Sequence, residues 1–527
     1  MKSFKRLLFA TLFGFAAIVA FSACHKDKKD EPVMPVDEIN TPLCFTAQVD
    51  NSTVSMRRNG RYAFPKLEYS YDGENWQPFV QSKSVDGFEP VVLAKAGDKI
   101  YVRNQGKTNK FSISLDSYFY FKLSGRIAAS GNIMSLLDKD NFSTMKELPG
   151  ETTFGALFIL QSSLVSAPLL PATKLSKNCY NCMFKQCTNL TKAPELPATE
   201  MEIGCYLSMF GFCENLTEAP KLQHITKMDI QCFDYMFYKC TRLEKAPDLP
   251  NVKMRKYCCD CMFYGCTSLT TAPALPSTEL GTGCYVGMFY GCTSLEKAPE
   301  LPATTMILGC YEYMFDSCVN LTAAPLLPAT TLADNCYYGM FADCDNLTTA
   351  PELPATELAK NCYTGMFLGC SSLTTAPELP ATEMAYGCYW GMFTDCASLT
   401  RAPRLPATTL AGKCYDWMFN GCTNLDYIEV AFEQWPMSTD SVTFEWVGNV
   451  ADEGTFVCPD NLADVRGISN IPEGWTKTDT PDNQGSTQRK TAAKASTTGI
   501  NNIKKAEIIR REAFKEMPSE VQCVLTE

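Results

Sequence analysis

The chain has 527 residues and carries 58 acidic against 47 basic side chains, for a net charge of −11. A chain of this length can fold into two or more domains. No basic stripe offsets the acidic balance, and such a stripe is the usual mark of a nucleic-acid-binding protein. We therefore predict no nucleic acid among its partners.

Residues 1–23 have the pattern of an export signal. Three basic residues precede an uncharged apolar run over 7–21, which is shorter than the roughly 20 residues of a membrane-spanning helix. The run ends in Phe21-Ser22-Ala23-Cys24, which resembles the lipobox of bacterial lipoproteins. The resemblance implies that Cys24 is the lipid attachment site. The alternative is an ordinary secretory signal followed by a chance cysteine.

Residues 24–41 are predicted to form a flexible tether, because they are charged, contain proline and offer little apolar area to bury. Acidic residues close behind a lipidated cysteine resemble the surface-export signals of Bacteroidetes lipoproteins, although three lysines here depart from that pattern. We therefore expect a lipid anchor in the bacterial outer membrane and an outward-facing chain. A periplasmic orientation is the alternative.

Residues 42–150 do not repeat and are predicted to form a small β-sandwich-like domain that also caps the first repeat. The segments 69–71 and 76–79, placed around Asp72-Gly73, are typical of a β-hairpin. Further strands are predicted at 91–93, 99–102 and 111–115, with glycine and asparagine clusters between them.

From Cys179 onward the sequence repeats with a period of 26 residues, and one unit has 27. The first cysteines of the units are Cys179, Cys205, Cys232, Cys258, Cys284, Cys310, Cys336, Cys362, Cys388 and Cys414. A unit without cysteines precedes them and keeps the register through Phe158, Leu164 and Ala167-Pro168. Residues 151–430 therefore hold about eleven units, which is typical of stacked repeats.

Each unit has the same apolar positions, counted from its first cysteine as position 0. All ten cysteine-containing units have Met-Phe at +4 and +5, a second cysteine at +8 and leucine at +11. Nine of the ten have an aromatic residue at +1, and nine have Ala-Pro at +14 and +15. At about 100° per residue, positions 0, +1, +4, +5 and +8 share one face of a helix. We therefore predict a short helical turn with an apolar inner face, which the glycines at +3 in four units would weaken.

The residues after this turn, such as Leu373 to Ala376, predict a short strand. It should end at the Ala-Pro step, because proline cannot donate to a strand ladder. One strand and one helical turn in 26 residues match the dimensions of a leucine-rich repeat. The predicted fold is an α/β leucine-rich-repeat solenoid preceded by the β-sandwich-like domain.

The pattern Met-Phe-x-x-Cys-x-x-Leu-x-x-Ala-Pro-x-Leu-Pro is similar to the BspA-like leucine-rich repeats of Bacteroidetes surface lipoproteins. The resemblance covers residues 153 to about 430, over half of the chain. It implies a role in adhesion to host matrix proteins and to other cells. The repeat pattern by itself predicts only a long, regular surface.

Beyond Leu425 the repeat pattern ends. Residues 431–476 are predicted to be the C-terminal cap that an open stack of repeats needs. The aromatic residues of this cap are Trp435, Trp446, Phe456 and Trp475. Residues 477–527 are predicted to be a mostly disordered tail, with an amphipathic basic helix over 503–517 as the alternative.

Twenty of the 27 cysteines stand in the repeat columns 0 and +8. On a helix these positions are about 12 Å apart, too far for a disulfide, so we prefer buried thiols. No cofactor or metal is predicted, because the Cys-x-x-Cys pairs at Cys179 and Cys258 lie three units apart, too far for one zinc ion. With two histidines and no catalytic motif, the chain is predicted not to be an enzyme.

The variable columns opposite the predicted core face hold the candidate binding residues. Column +6 carries three consecutive tyrosines, and columns +3 and +2 carry further aromatic residues. The candidates are Tyr235, Tyr238, Tyr264, Tyr290, Tyr313, Tyr338, Trp390 and Trp417. Tyrosine and tryptophan are enriched at binding hot spots. The alternative is that the tyrosines pack on one another between units.

The leading hypothesis is an adhesin-like, monomeric surface lipoprotein that binds host matrix protein or another cell. The first alternative is a glycan-binding surface lipoprotein that captures polysaccharide, because an aromatic stripe suits sugars as well as proteins. The second is a structural surface coat without a dedicated ligand.

Overall fold

The structure, a computed structural model, describes residues 36–479 except 110, 113, 115 and 437–440. The predicted export signal, the lipid attachment site at Cys24 and nearly all of the predicted tail lie outside the described residues. Among those described, no helix has the length and hydrophobicity of a membrane span. The described part opens with a four-residue helix, α1, at Val36–Ile39.

The described residues of the N-terminal domain form eight strands. They are β1 (Leu43–Ala47), β2 (Ser52–Asn59), β3 (Leu67–Ser70), β4 (Gln77–Pro78), β5 (Val91–Leu93), β6 (Lys99–Asn104), β7 (Tyr118–Ser124) and β8 (Ile127–Ser130). One sheet has the order β4-β3-β6-β1-β8 and the other the order β5-β2-β7, both with antiparallel neighbours. A 3₁₀ helix at Ile133–Leu136 follows β8.

The two sheets share one hydrophobic core. The rings of Phe45 in β1 and Phe121 in β7 are 4.8 Å apart between centroids. The predicted hairpin is present, because β3 pairs with β4 across the turn at Asp72. The Asp72 carboxylate accepts hydrogen bonds from the N–H groups of Glu74 and Asn75, which fixes this turn.

The strand predicted at 111–115 is not formed by those of its residues that the structure describes. Phe111 and Ser112 lie in a loop, and Ser114 makes an isolated bridge. Phe111 is nevertheless fully buried, because its ring packs against Phe119 and Phe154. The apolar signal in this segment therefore came from packing at the start of the repeats and not from a strand.

The N-terminal domain is continuous with the repeats. Strand β9 (Leu164–Ser166), in the unit that lacks cysteines, pairs in parallel with β8 and extends the larger sheet. The Phe121 ring stacks on Phe158 of that unit at 5.5 Å. The domain thus packs against the first unit of the stack.

The segment from −1 to +8 of each unit is not a helix, and the predicted helical turn is wrong. Its N–H groups alternate between two kinds of partner. The N–H of Met366 donates to the carbonyl of Tyr363, three residues back, whereas that of Phe367 donates to Met392 in the next unit at 2.9 Å. We call this segment the turn ladder. Half of its N–H groups close turns within a unit, and the other half join neighbouring units.

The turn ladder requires left-handed backbone at positions −1, +3 and +7. In one unit Asn361, Gly365 and Gly369 have φ values of 54, 58 and 75°. Glycine adopts this conformation without steric cost and asparagine tolerates it. The glycines at +3, which would weaken a helix, are therefore residues that permit the actual structure.

The predicted strand of each unit is reduced to one residue in most of the stack. Parallel bridges join position +13 of neighbouring units, as between Lys192 and Glu218 or Thr349 and Thr375, and a second column of bridges runs at +21. Proline at +15 lacks the N–H needed to continue the pairing. Where Ile428 and Glu429 replace Ala-Pro, a three-residue strand forms, β10 (Tyr427–Glu429).

The core is a stack of identical side chains. The phenylalanines at +5 run from Phe158 to Phe419 with ring centroids 5.4–5.8 Å apart and ring planes within 9° of parallel. The tyrosines at +1 stack alongside from Tyr285 to Tyr415. The apolar inner face was therefore predicted correctly although the helix was not.

The C-terminal cap continues the stack in irregular form. β10 pairs in parallel with β11 (Thr455–Val457), which pairs with β12 (Thr476–Thr478). The fully buried Trp446 ends both ring columns, 6.2 Å from Tyr415 and from Phe419. The cap extends to Thr478, slightly beyond the predicted boundary, because β12 pairs with the outer edge of β11.

Candidate binding face

The turn ladder has an inner and an outer face. Positions 0, +1, +4, +5 and +8 enter the core, whereas +2, +3, +6 and +7 lie on the opposite side. All eight predicted binding residues belong to two apolar clusters on that outer side, apart from the main core. The clusters, which we call the outer layer, contain Phe212, Tyr235, Tyr238, Cys261 and Tyr264, and Tyr290, Tyr313, Tyr338, Ala342, Leu368, Trp390 and Trp417.

Half of the candidates are far less accessible than predicted. The exposed fractions are 2% for Tyr235, 8% for Tyr238, 9% for Tyr313 and 4% for Tyr338, whereas Tyr264, Tyr290, Trp390 and Trp417 are half-buried. One cause is the glycine column at +3. A Cβ on Gly339 would stand 2.6 Å from the Tyr313 ring, so the ring fills space that the glycine leaves.

The three consecutive tyrosines at +6 stack on one another. The ring of Tyr264 lies 4.8 Å from Tyr238 on one side and 4.5 Å from Tyr290 on the other, with interplanar angles of 23 and 4°. Both faces of Tyr264 are therefore covered by protein. The contact between Tyr264 and Tyr290 also joins the two clusters into one layer along the stack.

The two tryptophans extend the outer layer toward the cap. Trp390 and Trp417 are 6.4 Å apart between centroids, and Trp417 is 6.4 Å from Phe444. The ammonium of Lys413 lies 4.5 Å from the Trp390 ring, a cation–π contact that occupies that ring. Phe444, which the sequence reasoning did not single out, is 49% exposed.

Three of the aromatic candidates stand on left-handed backbone. Tyr235, Tyr313 and Trp417 occupy position +3 with φ values of 54, 52 and 58°. A bulky residue in this conformation costs roughly 1–2 kcal/mol relative to glycine, which occupies the same position in four other units. The aromatic side chains therefore stand where the backbone would favour glycine.

Four members of the outer layer were not among the predicted binding residues: Phe212, Cys261, Ala342 and Leu368. Phe212 at +7 packs edge-on against Tyr238 at 5.1 Å, with the ammonium of Lys239 5.5 Å from its ring. Leu368 at +6 is 3% exposed in the second cluster. Their columns vary from unit to unit, so no repeat signal marked them.

Two buried carboxyl groups adjoin the first cluster. Asp234 and Asp260 occupy position +2 of adjacent units with exposed fractions of 4 and 2%, and each has one oxygen without a hydrogen-bond partner. Burial raises the pKa of Asp260 to about 7 and raises that of Asp234 strongly. The only sequence signal was an aspartate at +2 in two consecutive units.

The cysteines of the two repeat columns are buried, and the cysteines that the structure describes are free thiols. In all ten units the Sγ at +8 donates to the carbonyl oxygen of the +5 phenylalanine one unit back, at 3.0–3.2 Å. Burial raises the pKa of Cys213 and Cys266 to about 12. Such thiols are inert structural groups.

His224 is buried, and its Nε2 lies 2.8 Å from the carbonyl oxygen of Leu196. No group of three or more His, Cys, Asp or Glu side chains in the described residues is placed to hold a metal ion.

The comparison with family models agrees with the repeat geometry. Residues 170–270 and 234–374 match the model described as a BspA type leucine rich repeat region, in six copies. These spans lie inside the region of turn ladders and exclude the N-terminal domain and the cap. Among curated proteins none matches the chain significantly.

A solved structure of a leucine-rich-repeat protein of Leptospira interrogans is similar at 12% identity. The match covers 67% of this chain and 84% of that one, with a TM-score of 0.20, a level at which the likeness carries no weight. The family-model match and the hydrogen-bonded repeat geometry are independent of it. Residues 170–374 of this chain are therefore similar to BspA-type leucine-rich repeats.

Proposed function

We propose that this protein is a binding protein of the cell surface, held by a lipid at Cys24, whose outer layer contacts a protein partner. The observation that carries the proposal is the outer layer itself. It is a second apolar layer, outside the main core and continuous over many units. Exposed apolar patches mark interaction sites, and the half-buried rings of this layer, such as those of Tyr264 and Tyr290, are the part of it that reaches the surface.

The backbone at position +3 supports the same proposal. Tyr235, Tyr313 and Trp417 hold left-handed conformations that glycine adopts in other units. Strain of this kind persists where the surrounding structure or a function favours the side chain. The aromatic residues at +3 thus occupy a backbone conformation that glycine would adopt at a lower free energy.

Ring coverage favours a protein over a glycan as the partner. Sugars stack on open aromatic faces, but both faces of Tyr264 are covered and Lys413 lies over Trp390. Partly buried tyrosine and tryptophan side chains are instead typical of protein interfaces, where these residue types are enriched. We propose no enzymatic activity and no cofactor.

The test is a binding assay with the mature chain from residue 25, probed against immobilised matrix proteins, cell-surface proteins and glycans. The Tyr264→Ala/Tyr290→Ala variant removes two rings of the outer layer that stack on each other at 4.5 Å. The matched control is Thr349→Ala/Thr375→Ala, which truncates two exposed residues at +13, away from the outer layer. We expect saturable protein binding that falls at least tenfold in the first variant and is unchanged in the control.

Three results would contradict the proposal. Binding that both variants retain would put the site elsewhere on the chain. Binding that free sugar abolishes would establish the glycan-binding alternative. Absence of binding across the panel would favour the structural surface coat.

A further inference from the structure

Asp234 and Asp260 differ from a third buried carboxyl at position +2, that of Asp416, in how their oxygens are bonded. Asp416 accepts the N–H of Phe444 at 2.8 Å, and the hydroxyl of Ser441 also donates to it. All three side chains are at most 4% exposed, but Asp234 and Asp260 each keep one carboxyl oxygen without a hydrogen-bond partner. A buried polar atom without a partner costs free energy, and the cost is larger for a charged carboxylate than for a neutral carboxyl.

The surroundings of this pair contain no cation that could offset a negative charge. Among the described residues, no basic side chain forms a salt bridge with either carboxyl. Lys185 and Lys239 of neighbouring units lie beside the Phe212 ring instead, at 6.0 and 5.5 Å. The ionisable and polar side chains that face the pair are thiols, a phenol and an amide, and they are Cys182, Gln231, Tyr235, Cys258 and Cys261.

The buried position therefore favours the protonated pair. Two ionised carboxyl groups in adjacent units would repel each other and would have lost their hydration. Burial raises the pKa of Asp260 to about 7. Burial and then the charge of Asp260 raise the pKa of Asp234 strongly. The two groups titrate as one system, which retains protons near neutral pH and releases them as the pH rises.

The residues that directly follow the pair belong to the outer layer and also join units. Tyr235 and Cys261 at +3 are members of its first cluster. The N–H of Tyr235 donates to the carbonyl of Asp260 at 2.9 Å, and that of Cys261 donates to Val286 at 2.8 Å. The inner positions of the same units are packed in the main core. A movement of the pair toward water would thus disturb the first cluster and these two hydrogen bonds while the inner face stays packed.

We propose that Asp234 and Asp260 form a pH-sensitive latch in the outer layer, closed when the pair is protonated and open when both carboxyls are ionised. In the closed form the pair stays buried beside Tyr235 and Cys261, as in this structure. In the open form both carboxylates reach water and the first cluster separates locally, a charge change that acts on one packed element. One consequence rests on the proposed function: a partner that contacts the first cluster binds less tightly above neutral pH.

The test is hydrogen exchange on the mature chain from residue 25 between pH 5.5 and pH 8.5, without any added partner. Protection is expressed relative to the intrinsic exchange rate at each pH, which removes the direct effect of pH. The probes are the +3 amides of Tyr235 and Cys261. Their counterparts are the +3 amides of Gly339 and Gly365, which donate to the next unit at 2.8 Å in the same way but adjoin no carboxyl at +2.

We expect protection of the two probes to fall at least tenfold from pH 5.5 to pH 8.5, and protection of the two glycine amides to stay constant. The Asp234→Asn/Asp260→Asn variant keeps the shape of both side chains and removes both titrations, so the fall should disappear. The matched control is Asp416→Asn, which changes a hydrogen-bonded carboxyl of the same column and should leave the fall unchanged. The comparison of probes and counterparts within the wild-type chain does not depend on how well a variant folds.

Three outcomes would overturn the proposal. Constant protection of the probes in the wild-type chain would show that the pair stays in place as the pH rises. An equal fall at Gly339 and Gly365 would show that the whole stack is destabilised and that no local latch exists. A fall that persists in the double variant would assign the effect to another titrating group. Because no partner is present, none of these outcomes bears on the proposed binding function.

Discussion

The inner and outer faces of the turn ladder are made by the same backbone and differ in how strictly residues repeat. On the inner face the side chain at +5 is phenylalanine in every cysteine-containing unit, and the rings keep a spacing of 5.4–5.8 Å. On the outer face, position +6 changes from lysine through tyrosine to aspartate and leucine. In a close-packed core each position accepts a side chain of only one size and shape. The outer positions lie outside this core, and their residues vary from unit to unit.

The two faces also pack differently. Inner rings stack nearly parallel throughout, but the outer layer mixes the parallel pair of Tyr264 and Tyr290 with the edge-on pair of Tyr313 and Tyr338, at 61°. Irregular packing arises because outer residues come from four different columns. The stack therefore has a uniform core that sets its shape and a variable layer that can differ in function along its length.

The largest expected effect is a difference in the free energy of unfolding between substitutions at two adjacent residues, one on each face. Phe263→Ala removes an inner ring that is fully buried between two others and should cost about 3–5 kcal/mol. Tyr264→Ala, one residue on but half-buried in the outer layer, should cost about 1–2 kcal/mol. Urea unfolding of the mature chain measures both. Equal losses would show that the outer layer is as much a part of the core as the inner face.

The second prediction concerns the buried carboxyl at Asp260. Its pKa of about 7 in the folded chain lies above its ordinary value of 3.8. A raised acid pKa stabilises the fold fully below the ordinary value, and this stability is lost as pH rises from about 4 to about 7. Asp260→Asn keeps the shape and removes the titration. The variant should therefore gain stability relative to the wild type over that pH range, by a few kcal/mol.

Unfolding midpoints of the two chains at pH 5, 6, 7 and 8 measure this difference. It should grow up to pH 7 and then level off. The same measurement on Asp72→Asn serves as a control, because hydrogen bonds from Asn75 hold the pKa of Asp72 well below its ordinary value. A constant difference for Asp260→Asn across the series would refute the raised pKa.

A smaller effect tests the backbone of the outer layer at position +3. Tyr313→Ala and Tyr313→Gly both remove the ring, but only glycine relieves the left-handed conformation at φ 52°. The glycine variant should be about 1 kcal/mol more stable than the alanine variant, the reverse of the usual order. Met314 follows on the inner face and lacks a positive φ, so Met314→Ala should be more stable than Met314→Gly.

The smallest expected effect lies away from both faces. Lys192 and Glu218 pair between units at 2.8 Å, but their side chains are 68 and 62% exposed. An exposed pair contributes about 0–1 kcal/mol, so Lys192→Ala should shift the unfolding midpoint only slightly, and less at high salt. A loss comparable to that of Tyr264→Ala would show that charge rows hold the units together.

Sequence reasoning found the repeat, its register and its inner face, because positions 0, +1, +4, +5 and +8 carry the same residues in unit after unit. The same spacing also led to the wrong prediction of a helical turn. A period near four fits a helix, and it also fits a turn ladder with left-handed residues every fourth position, such as Asn361, Gly365 and Gly369. Hydrogen bonds to the next unit, which no local pattern reveals, decided between them.

The candidate site was predicted only in part, again because contacts between units cannot be read from the local sequence. The eight aromatic candidates were assigned to the outer side, and the structure brings all of them into the outer layer. Their accessibility was not predictable, because the burial of Tyr313 depends on Gly339 in the next unit. Whether these residues bind a partner stays a prediction.

The sequence by itself determined which side chains face inward, because a repeated apolar position must be buried in every unit or in none. It also determined the unit length and the place where the repeats end. The tertiary structure alone decided the hydrogen-bond partners of the backbone, the stacking that covers both faces of Tyr264 and the burial of Asp234 and Asp260. These depend on contacts between units 26 residues apart in the chain, and such contacts exist only once the stack has formed.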